Sequence, residues 1–278
     1  MKLQGILYLC ATPIGNLEDM TFRAIRILRE VNLIAAEDTR RTRKLLTHFD
    51  IHTPLIRFDE NCKATVAEKI LQRLQAGESV AVVSDAGLPA ISDPGADLVR
   101  LAIDAGIKIC PIPGANAALS ALICSGLDTT KFLFAGFAPK TKKNRRDFLE
   151  KLSTSKETII FYEAPHRLKN FLAELAEVFG ERQAVLAREL TKVHEEFLRG
   201  KISELIRRLD EPRGEFVVIV EGASLSSTVT SLEEEPLNFY QKLLEQGLDK
   251  KSAMREAAKK FNVSRREIYN ALIKNFSN

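Results

Sequence analysis

Short apolar runs alternate with amphipathic stretches along the first half of the chain. Residues 5–10 (GILYLC) and 79–84 (SVAVVS) are nearly continuous apolar runs of strand length, typical of strands that are buried on both faces. The segments 22–31 (FRAIRILREV) and 64–77 (ATVAEKILQRLQAG) place apolar residues three and four positions apart, which predicts helices. Strands that alternate with helices at this spacing predict an α/β domain with a largely parallel sheet.

The second half of the chain alternates in the same way, from FLFAGF (132–137) to EFVVIVEG (215–222), and predicts a second α/β domain with a mixed sheet. Residues 223–238 are small, polar and acidic, which is typical of a linker. Beyond it, residues 251–272 have the rhythm of a helix-turn-helix, with Ser264 as the predicted cap of the second helix. The predicted divisions are 1–125, 126–222, the linker 223–238 and a helical module over 239–278.

Composition narrows the class of protein. The chain has 278 residues, of which 45% are hydrophobic and 28% charged, as in ordinary globular proteins. No apolar run approaches the length needed to cross a bilayer, and residues 1–17 are interpreted as a strand and turn rather than a signal peptide. The four cysteines form no CxxC pair, so we expect reduced thiols and a cytoplasmic location, with no metal site.

Positive charge is concentrated near the C-terminus. The net charge is +4, and residues 239–278 contain nine lysines and arginines against four acidic residues. The preceding residues are therefore close to neutral. A basic segment on a near-neutral body predicts a partner that carries phosphates. The alternative is a solvated helical appendage with no such partner.

Four loops that follow predicted strands are rich in polar residues, glycine and proline. Open α/β sheets bind ligands at the carboxyl ends of their strands, so four such loops together favour a binding crevice over ordinary turns. The chain contains neither GxGxxG nor GxxxxGK[ST], which argues against a dinucleotide or nucleoside-triphosphate site. The loops are ATPIGN (11–16), AEDTRRTRK (36–44), SDAGLPAISDPG (84–95) and PIPGANAA (111–118).

Two of the predicted loops are strongly basic. Four basic residues follow Glu37 and Asp38, and five more lie between positions 140 and 146. A charged helix start is the alternative for the first stretch, since acidic residues stabilise a helix N-terminus. Two basic loops near one crevice favour contacts with a polyanion. The candidate RNA-binding residues are Arg40, Arg41, Arg43, Lys44, Lys140, Lys142, Lys143, Arg145 and Arg146.

Seven motifs, in this order, resemble one known family. They are TPIGNLEDMTFRAI, AEDTRRT, SDAGLPAISDPG, PIPGANAALSAL, FYEAPHRL, ARELTKVHEEFLRG and GEFVVIVEG. Together they resemble the tetrapyrrole-methylase superfamily and, within it, the branch that methylates 16S ribosomal RNA, the small subunit methyltransferase I family. The resemblance covers residues 5 to about 222, and the helical tail is similar to the C-terminal module of that branch.

The resemblance implies an S-adenosylmethionine-dependent 2′-O-ribose methylation of a cytidine in 16S rRNA. It also implies two α/β domains with the cofactor in the cleft between them, and a homodimer. Ser84-Asp85-Ala86 stands where tetrapyrrole enzymes typically have Gly-Asp-Pro, which fits the RNA branch. The implied cofactor-binding residues are Pro13, Ser84, Asp85, Ala86, Gly87, Asn116, Ala117, Tyr162, Glu163, Glu189, Leu190 and Glu215.

The implied reaction needs alignment of the acceptor oxygen and removal of its proton. Glu37, Asp38, Glu163 and His166 are the candidate bases, and we favour Asp38 or Glu37 because arginines that could hold phosphates follow them. For His166, a helix N-terminal position without a catalytic role is the favoured alternative. Two rival functions stay open: methylation of a tetrapyrrole or other small acceptor, which the basic loops argue against, and a non-enzymatic nucleic-acid-binding regulator, which the loop-rich body argues against.

Overall fold

A computed structural model describes residues 5–60, 62–91, 95–223, 229–261, 263–264, 268–269 and 272. The chain divides into two compact units, residues 1–221 and 222–278. Among the described residues, no helix is both long and apolar enough to cross a membrane.

The first sheet is parallel throughout, with strand order β3-β2-β4-β1-β5. Its strands are β1 (Ile6–Cys10), β2 (Leu33–Ala36), β3 (Leu55–Arg57), β4 (Val80–Val83) and β5 (Lys108–Ile112). The helices that follow them are α1 (Phe22–Glu30), α2 (Thr39–His48), α3 (Lys63–Gln75), α4 (Gly95–Asp104) and α5 (Ala117–Ile123). The side chains of β2 and β4 are all buried, since helices cover both faces of the sheet. The predicted parallel α/β architecture is confirmed.

The second sheet is mixed, as predicted, with strand order β6-β7-β10-β8-β9 and one parallel pair, β6 with β7. Its strands are β6 (Phe132–Phe137), β7 (Thr158–Glu163), β8 (Gln183–Arg188), β9 (Glu196–Lys201) and β10 (Phe216–Val220). Its helices are α6 (Lys142–Leu152), α7 (Pro165–Phe179) and α8 (Ile202–Arg208). Leu149, Phe171 and Leu205 from these three helices pack together on one face of this sheet.

Helix α5 joins the two halves. It follows the last strand of the first sheet, yet Ala118, Ala121 and Leu122 pack against Ile160 and Val217 of the second sheet. The sheets do separate near the predicted boundary at residue 125, but both belong to one compact unit. The sequence pattern placed α5 in the first domain because helical periodicity identifies a buried face without identifying its partner.

The C-terminal unit contains α9 (Val229–Glu245) and α10 (Lys250–Phe261). The linker prediction for 223–238 is therefore wrong over much of its length, because α9 begins inside it. Leu237 and Tyr240 of α9 are buried against Ala253, Ala257 and Ile268, so tertiary packing stabilises a helix there. Most of the predicted second helix after Ser264 lies outside the described residues.

Candidate active site

A cavity of about 440 Å³ opens between the loops of the first sheet and the ends of β7 and β10. Every predicted cofactor residue lines it except Pro13 and Glu189. The remaining lining is largely apolar and includes Ile14, Leu88, Ile91, Phe137 and Val217. Ligand sites typically combine such apolar walls with a few polar groups, so this cavity is the candidate active site.

Hydrogen bonds fix the loop after β4. The backbone N–H of Thr12 donates to the carbonyl of Gly87 at 2.9 Å, and the N–H of Gly87 donates back at 3.0 Å. The hydroxyl of Thr12 donates to the carbonyl of Ser84 at 3.1 Å. Gly87 has φ +79°, which favours glycine. The loops after β1 and β4 therefore form one braced wall.

Asp85 connects this wall to the loop after β2. One carboxylate oxygen accepts a hydrogen bond from the backbone N–H of Asp38 at 3.1 Å, and the other lies 3.4 Å from Nη1 of Arg41. Asn116 also lines the cavity, and its side chain accepts a hydrogen bond from the N–H of Leu119 and caps α5. With Ile14 of the loop after β1, all four predicted loops thus meet at one cavity.

Glu163 is the buried carboxyl of the site. Its Oε1 accepts a hydrogen bond from the N–H of Ala164 at 2.8 Å and lies 3.3 Å from Nε of Arg167. Its Oε2 has no hydrogen-bond partner in the part of the chain that the structure describes. Burial raises the pKa of Glu163, while Ala164 and Arg167 act in the opposite direction. A buried, half-satisfied carboxyl is unusual and makes Glu163 a candidate functional residue.

The other candidate bases differ in location. Glu37 lines the cavity. Asp38 does not: its carboxylate caps α2 by accepting from the N–H of Arg40 and pairs with the Arg40 guanidinium at 2.9 Å. This interaction holds the pKa of Asp38 far below its usual range. His166 is exposed at the second position of α7 and does not line the cavity, as the favoured alternative predicted.

Lys192 joins the two glutamates that the motifs indicated, although it was not among the predicted site residues. Its ammonium lies 2.9 Å from a carboxylate oxygen of Glu189 and 3.0 Å from one of Glu215. Glu189 also accepts from the N–H of Glu215 at 2.9 Å. Glu189 therefore braces the loop behind the cavity wall, whereas Glu215 lines the cavity. The sequence did offer one signal for this ion pair, because Glu189 and Lys192 carry opposite charges three residues apart.

The basic residues of α2 divide between two surfaces. Arg41 lines the cavity and faces Asp85, whereas Arg40, Arg43 and Lys44 line a shallow groove on the outside of the helix. Arg43 and Lys44 are exposed. This groove continues the positive charge outward from the cavity rim.

The second basic stretch contains one correction. Lys140, Lys142 and Lys143 are exposed, and Arg146 is exposed beside Glu150. Arg145, predicted to bind RNA, is instead internal: its guanidinium pairs with the Glu174 carboxylate at 2.6 and 2.7 Å, and its side chain is only 12% exposed. The partner lies 29 positions along the chain, so the local pattern of charges did not reveal it.

The chain is similar to known proteins over nearly its whole length. The family model for tetrapyrrole (corrin/porphyrin) methylases matches residues 6–206. A ribosomal RNA small subunit methyltransferase I of Bacillus subtilis (strain 168) is 49% identical over 276 residues, covering 96% of this chain and 94% of that protein. The protein of the same name from Synechocystis sp. is 46% identical over 268 residues, covering 95% and 96%.

Solved structures with the same fold are more distant in sequence. A diphthine synthase structure has a TM-score of 0.62 at 14% identity, covering 80% of this chain and 91% of that chain. A uroporphyrin-III-C-methyltransferase from Thermus thermophilus has a TM-score of 0.56 at 20% identity, covering 78% and 94%. These likenesses establish the fold alone. The sequence relatives establish more: the chain belongs to the tetrapyrrole methylase family and, within it, to the ribosomal RNA small subunit methyltransferase I family.

Proposed function

We propose that this chain transfers a methyl group from S-adenosylmethionine to the 2′-oxygen of a cytidine in 16S rRNA. The observation that carries the proposal is that the cavity joins loops from both sheets and that basic residues continue from its rim along α2. A small acceptor needs no phosphate contacts distributed over such a surface, whereas an RNA strand does.

The residues of the cavity fit S-adenosylmethionine. The Ser84–Gly87 loop approaches the cavity with little side-chain bulk, and Leu190 and Val217 offer apolar contact to an adenosine. The carboxylates of Asp85 and Glu215 favour a positively charged ligand. The bound cofactor supplies a methyl group that its sulfonium already activates, so the protein needs mainly to align the acceptor oxygen.

Glu163 is the base that we propose for the acceptor hydroxyl. Its unpartnered Oε2 takes the proton as the new carbon–oxygen bond forms and the carbon–sulfur bond breaks. A raised pKa suits this task, because a base works best when its pKa lies nearer the operating pH. The sequence favoured Asp38 or Glu37 for this role. The Asp38 carboxylate is engaged at the start of α2, whereas Glu37 lines the cavity and is the rival base.

The proposed partner is 16S rRNA or the small ribosomal subunit, which implies a cytoplasmic location. Lys140, Lys142 and Lys143 on one side and Arg43 and Lys44 on the other are the proposed phosphate contacts. The homodimer implied by the resemblance stays a prediction.

The experiment incubates the purified chain with tritiated S-adenosylmethionine and either 16S rRNA or small subunits. Nucleoside analysis and primer extension then locate the methyl group. We expect label on the ribose of one cytidine in at least one substrate. E163Q should reduce the label strongly. The matched control is E177Q, which alters an exposed glutamate of α7. Absence of label from every RNA tested contradicts the proposal.

A further inference from the structure

Phe137 is an exposed aromatic residue at the edge of the cavity. It ends strand β6, lines the cavity and is 57% exposed. Its ring stands edge-on to the ring of Tyr162, with centroids 5.5 Å apart, and Tyr162 is held in turn by Phe134 at 5.0 Å. One edge of the Phe137 ring is therefore packed, while much of the ring stays open to a ligand.

The segment after Phe137 is fixed to the body of the protein by Arg145 and Arg167. Nη2 of Arg167 donates to the carbonyls of Ala138 and Pro139 at 2.9 and 3.2 Å. Nη1 of Arg145 donates to the carbonyls of Pro139 and Lys140 at 3.3 and 3.0 Å. The backbone next to the exposed ring is thus held in one conformation, and a rigid aromatic surface loses little entropy when it binds.

Arg167 also links this segment to the buried carboxyl. Its Nε lies 3.3 Å from Oε1 of Glu163, so one guanidinium contacts both the Glu163 carboxylate and the carbonyl of Ala138. The position of Phe137 relative to Glu163 is fixed by this side chain and by the pairing of β6 with β7, in which Phe137 lies opposite Tyr162. Phe137 and Glu163 line the same cavity, so an aromatic surface and a proton acceptor are both available to one nucleotide there.

Positively charged side chains follow Phe137 closely along the chain. Lys140, Lys142 and Lys143 are exposed within six residues of the ring, and we call them the lysine segment. An open aromatic ring beside a basic segment is the combination by which proteins bind unpaired nucleotides: the ring stacks on a base and the cations contact phosphates.

We propose that Phe137 is the stacking surface for the base of the nucleotide that accepts the methyl group, and that the lysine segment contacts its flanking phosphates. The inference rests on the proposed function, since it assigns the acceptor side of the same cavity. The rival occupant of the ring is the adenine of the cofactor. The exposed rim position beside the lysine segment favours the RNA base.

The test compares F137A, F137L, F137W and the matched control F132A, which removes another exposed phenylalanine of the same strand, outside the cavity. For each variant, kcat and KM are measured with the RNA substrate, and the dissociation constant for S-adenosylmethionine is measured by calorimetry. Loss of a stacked base contact reduces binding by about tenfold or more. We expect F137A and F137L to lose about tenfold or more in kcat/KM for RNA, and F137W and F132A to stay near the wild-type value.

Cofactor affinity should stay within about twofold of wild type in all variants, because the ring contacts RNA rather than cofactor. Full activity of F137L would make the ring a space-filling residue and overturn the proposal. Weakened cofactor binding in F137A would assign the ring to the adenine and overturn it as well. Thermal melting identifies any variant that fails to fold.

A second readout does not depend on activity. RNA that carries 5-iodocytidine at the acceptor position is irradiated in complex with the wild-type chain, and the crosslinked peptide is identified by mass spectrometry. We expect the crosslink at Phe137, and a crosslink confined to other residues contradicts the proposal. Failure of the proposed function is distinguishable, because the wild-type chain would then label no RNA at all.

Discussion

The carboxylate of Asp85 accepts a hydrogen bond from the backbone N–H of Asp38 at 3.1 Å, and this contact joins the loops after β4 and β2. The second carboxylate oxygen faces Arg41 at 3.4 Å. Asp85 therefore has two roles: it braces two loops, and it contributes negative charge to the cavity.

Substitution of Asp85 should separate these roles. In D85N the amide oxygen can still accept from the N–H of Asp38, so the fold should persist while affinity for S-adenosylmethionine falls about tenfold through loss of charge. D85R adds a bulky cation and should abolish cofactor binding. Calorimetry measures the affinity and circular dichroism the fold. Unchanged affinity in D85R would remove this loop from the cofactor site.

E163Q should lower kcat by about a hundredfold or more, the usual contribution of a general base, with a small change in cofactor affinity. The pH dependence gives a sharper check. If Glu163 must be ionised to accept the proton, kcat falls as the pH drops through its pKa, which burial raises. We expect this acid limb in wild type and its absence in E163Q. A matching variant, E37Q, tests the other carboxylate that lines the cavity, and loss of the limb there would move the role to Glu37.

Glu163 should also make stability depend on pH. Because its pKa is higher in the folded state, the folded chain binds more protons than the unfolded chain above about pH 4.5. Stability from this group is therefore fully present at lower pH and is lost as the pH rises through the raised pKa. The free energy of unfolding of wild type relative to E163Q, measured by urea titration, should fall as the pH rises from about 4.5 through the raised pKa. A difference that does not vary with pH would show that the carboxyl has an ordinary pKa.

Substitution of Arg145 should reduce stability, whereas substitution of its neighbouring lysines should reduce RNA binding. R145M breaks a nearly buried ion pair with Glu174 and removes the Arg145 donor from the carbonyls of Pro139 and Lys140, of which Pro139 keeps a hydrogen bond from Arg167. It should lower the free energy of unfolding by about 2–3 kcal/mol. The double variant K142A/K143A should leave stability nearly unchanged and reduce the slope of log affinity for RNA against log salt by about two. Urea titration and RNA binding at several salt concentrations measure the two effects.

Removal of the C-terminal unit should weaken RNA binding more than cofactor binding. The cut belongs at residue 222, because a cut at 239 would divide α9, which spans Val229–Glu245. Residues 1–221 retain the whole cavity, so cofactor affinity should stay near the wild-type value. Filter binding with 16S rRNA and calorimetry with S-adenosylmethionine measure the two affinities. Equal RNA affinity before and after truncation would leave the basic unit without a role in binding.

The strands and cavity loops followed from the sequence because their signals are local. The run VAVV followed by Ser84-Asp85 is enough to predict both the buried strand and the polar loop after it. Asp38 and Glu163 were harder to rank, since both are acidic residues at strand ends. What distinguishes them is the distribution of partners in three dimensions: Arg40 engages Asp38, while one oxygen of Glu163 is without a partner in the described structure.

Contacts between distant residues were not accessible from one sequence. Arg145 and Lys143 belong to the same basic stretch, and only the approach of Glu174 from α7 makes the arginine structural. The apolar face of α5 was predictable, but its partner sheet was not. The composition of residues 223–238 indicated a linker. The local sequence did not reveal the helix there, because the residues that pack against Leu237 lie in α10.

The position of α5 also constrains how the chain folds. Ala118, Ala121 and Leu122 emerge from the ribosome nearly a hundred residues before Val217 and Ile219, against which they pack. The first half therefore exposes an apolar helix face until synthesis of the second half is complete. Residues 1–221 should then unfold in a single transition, with no stable half-folded species, and the nascent first half should be a substrate for chaperones.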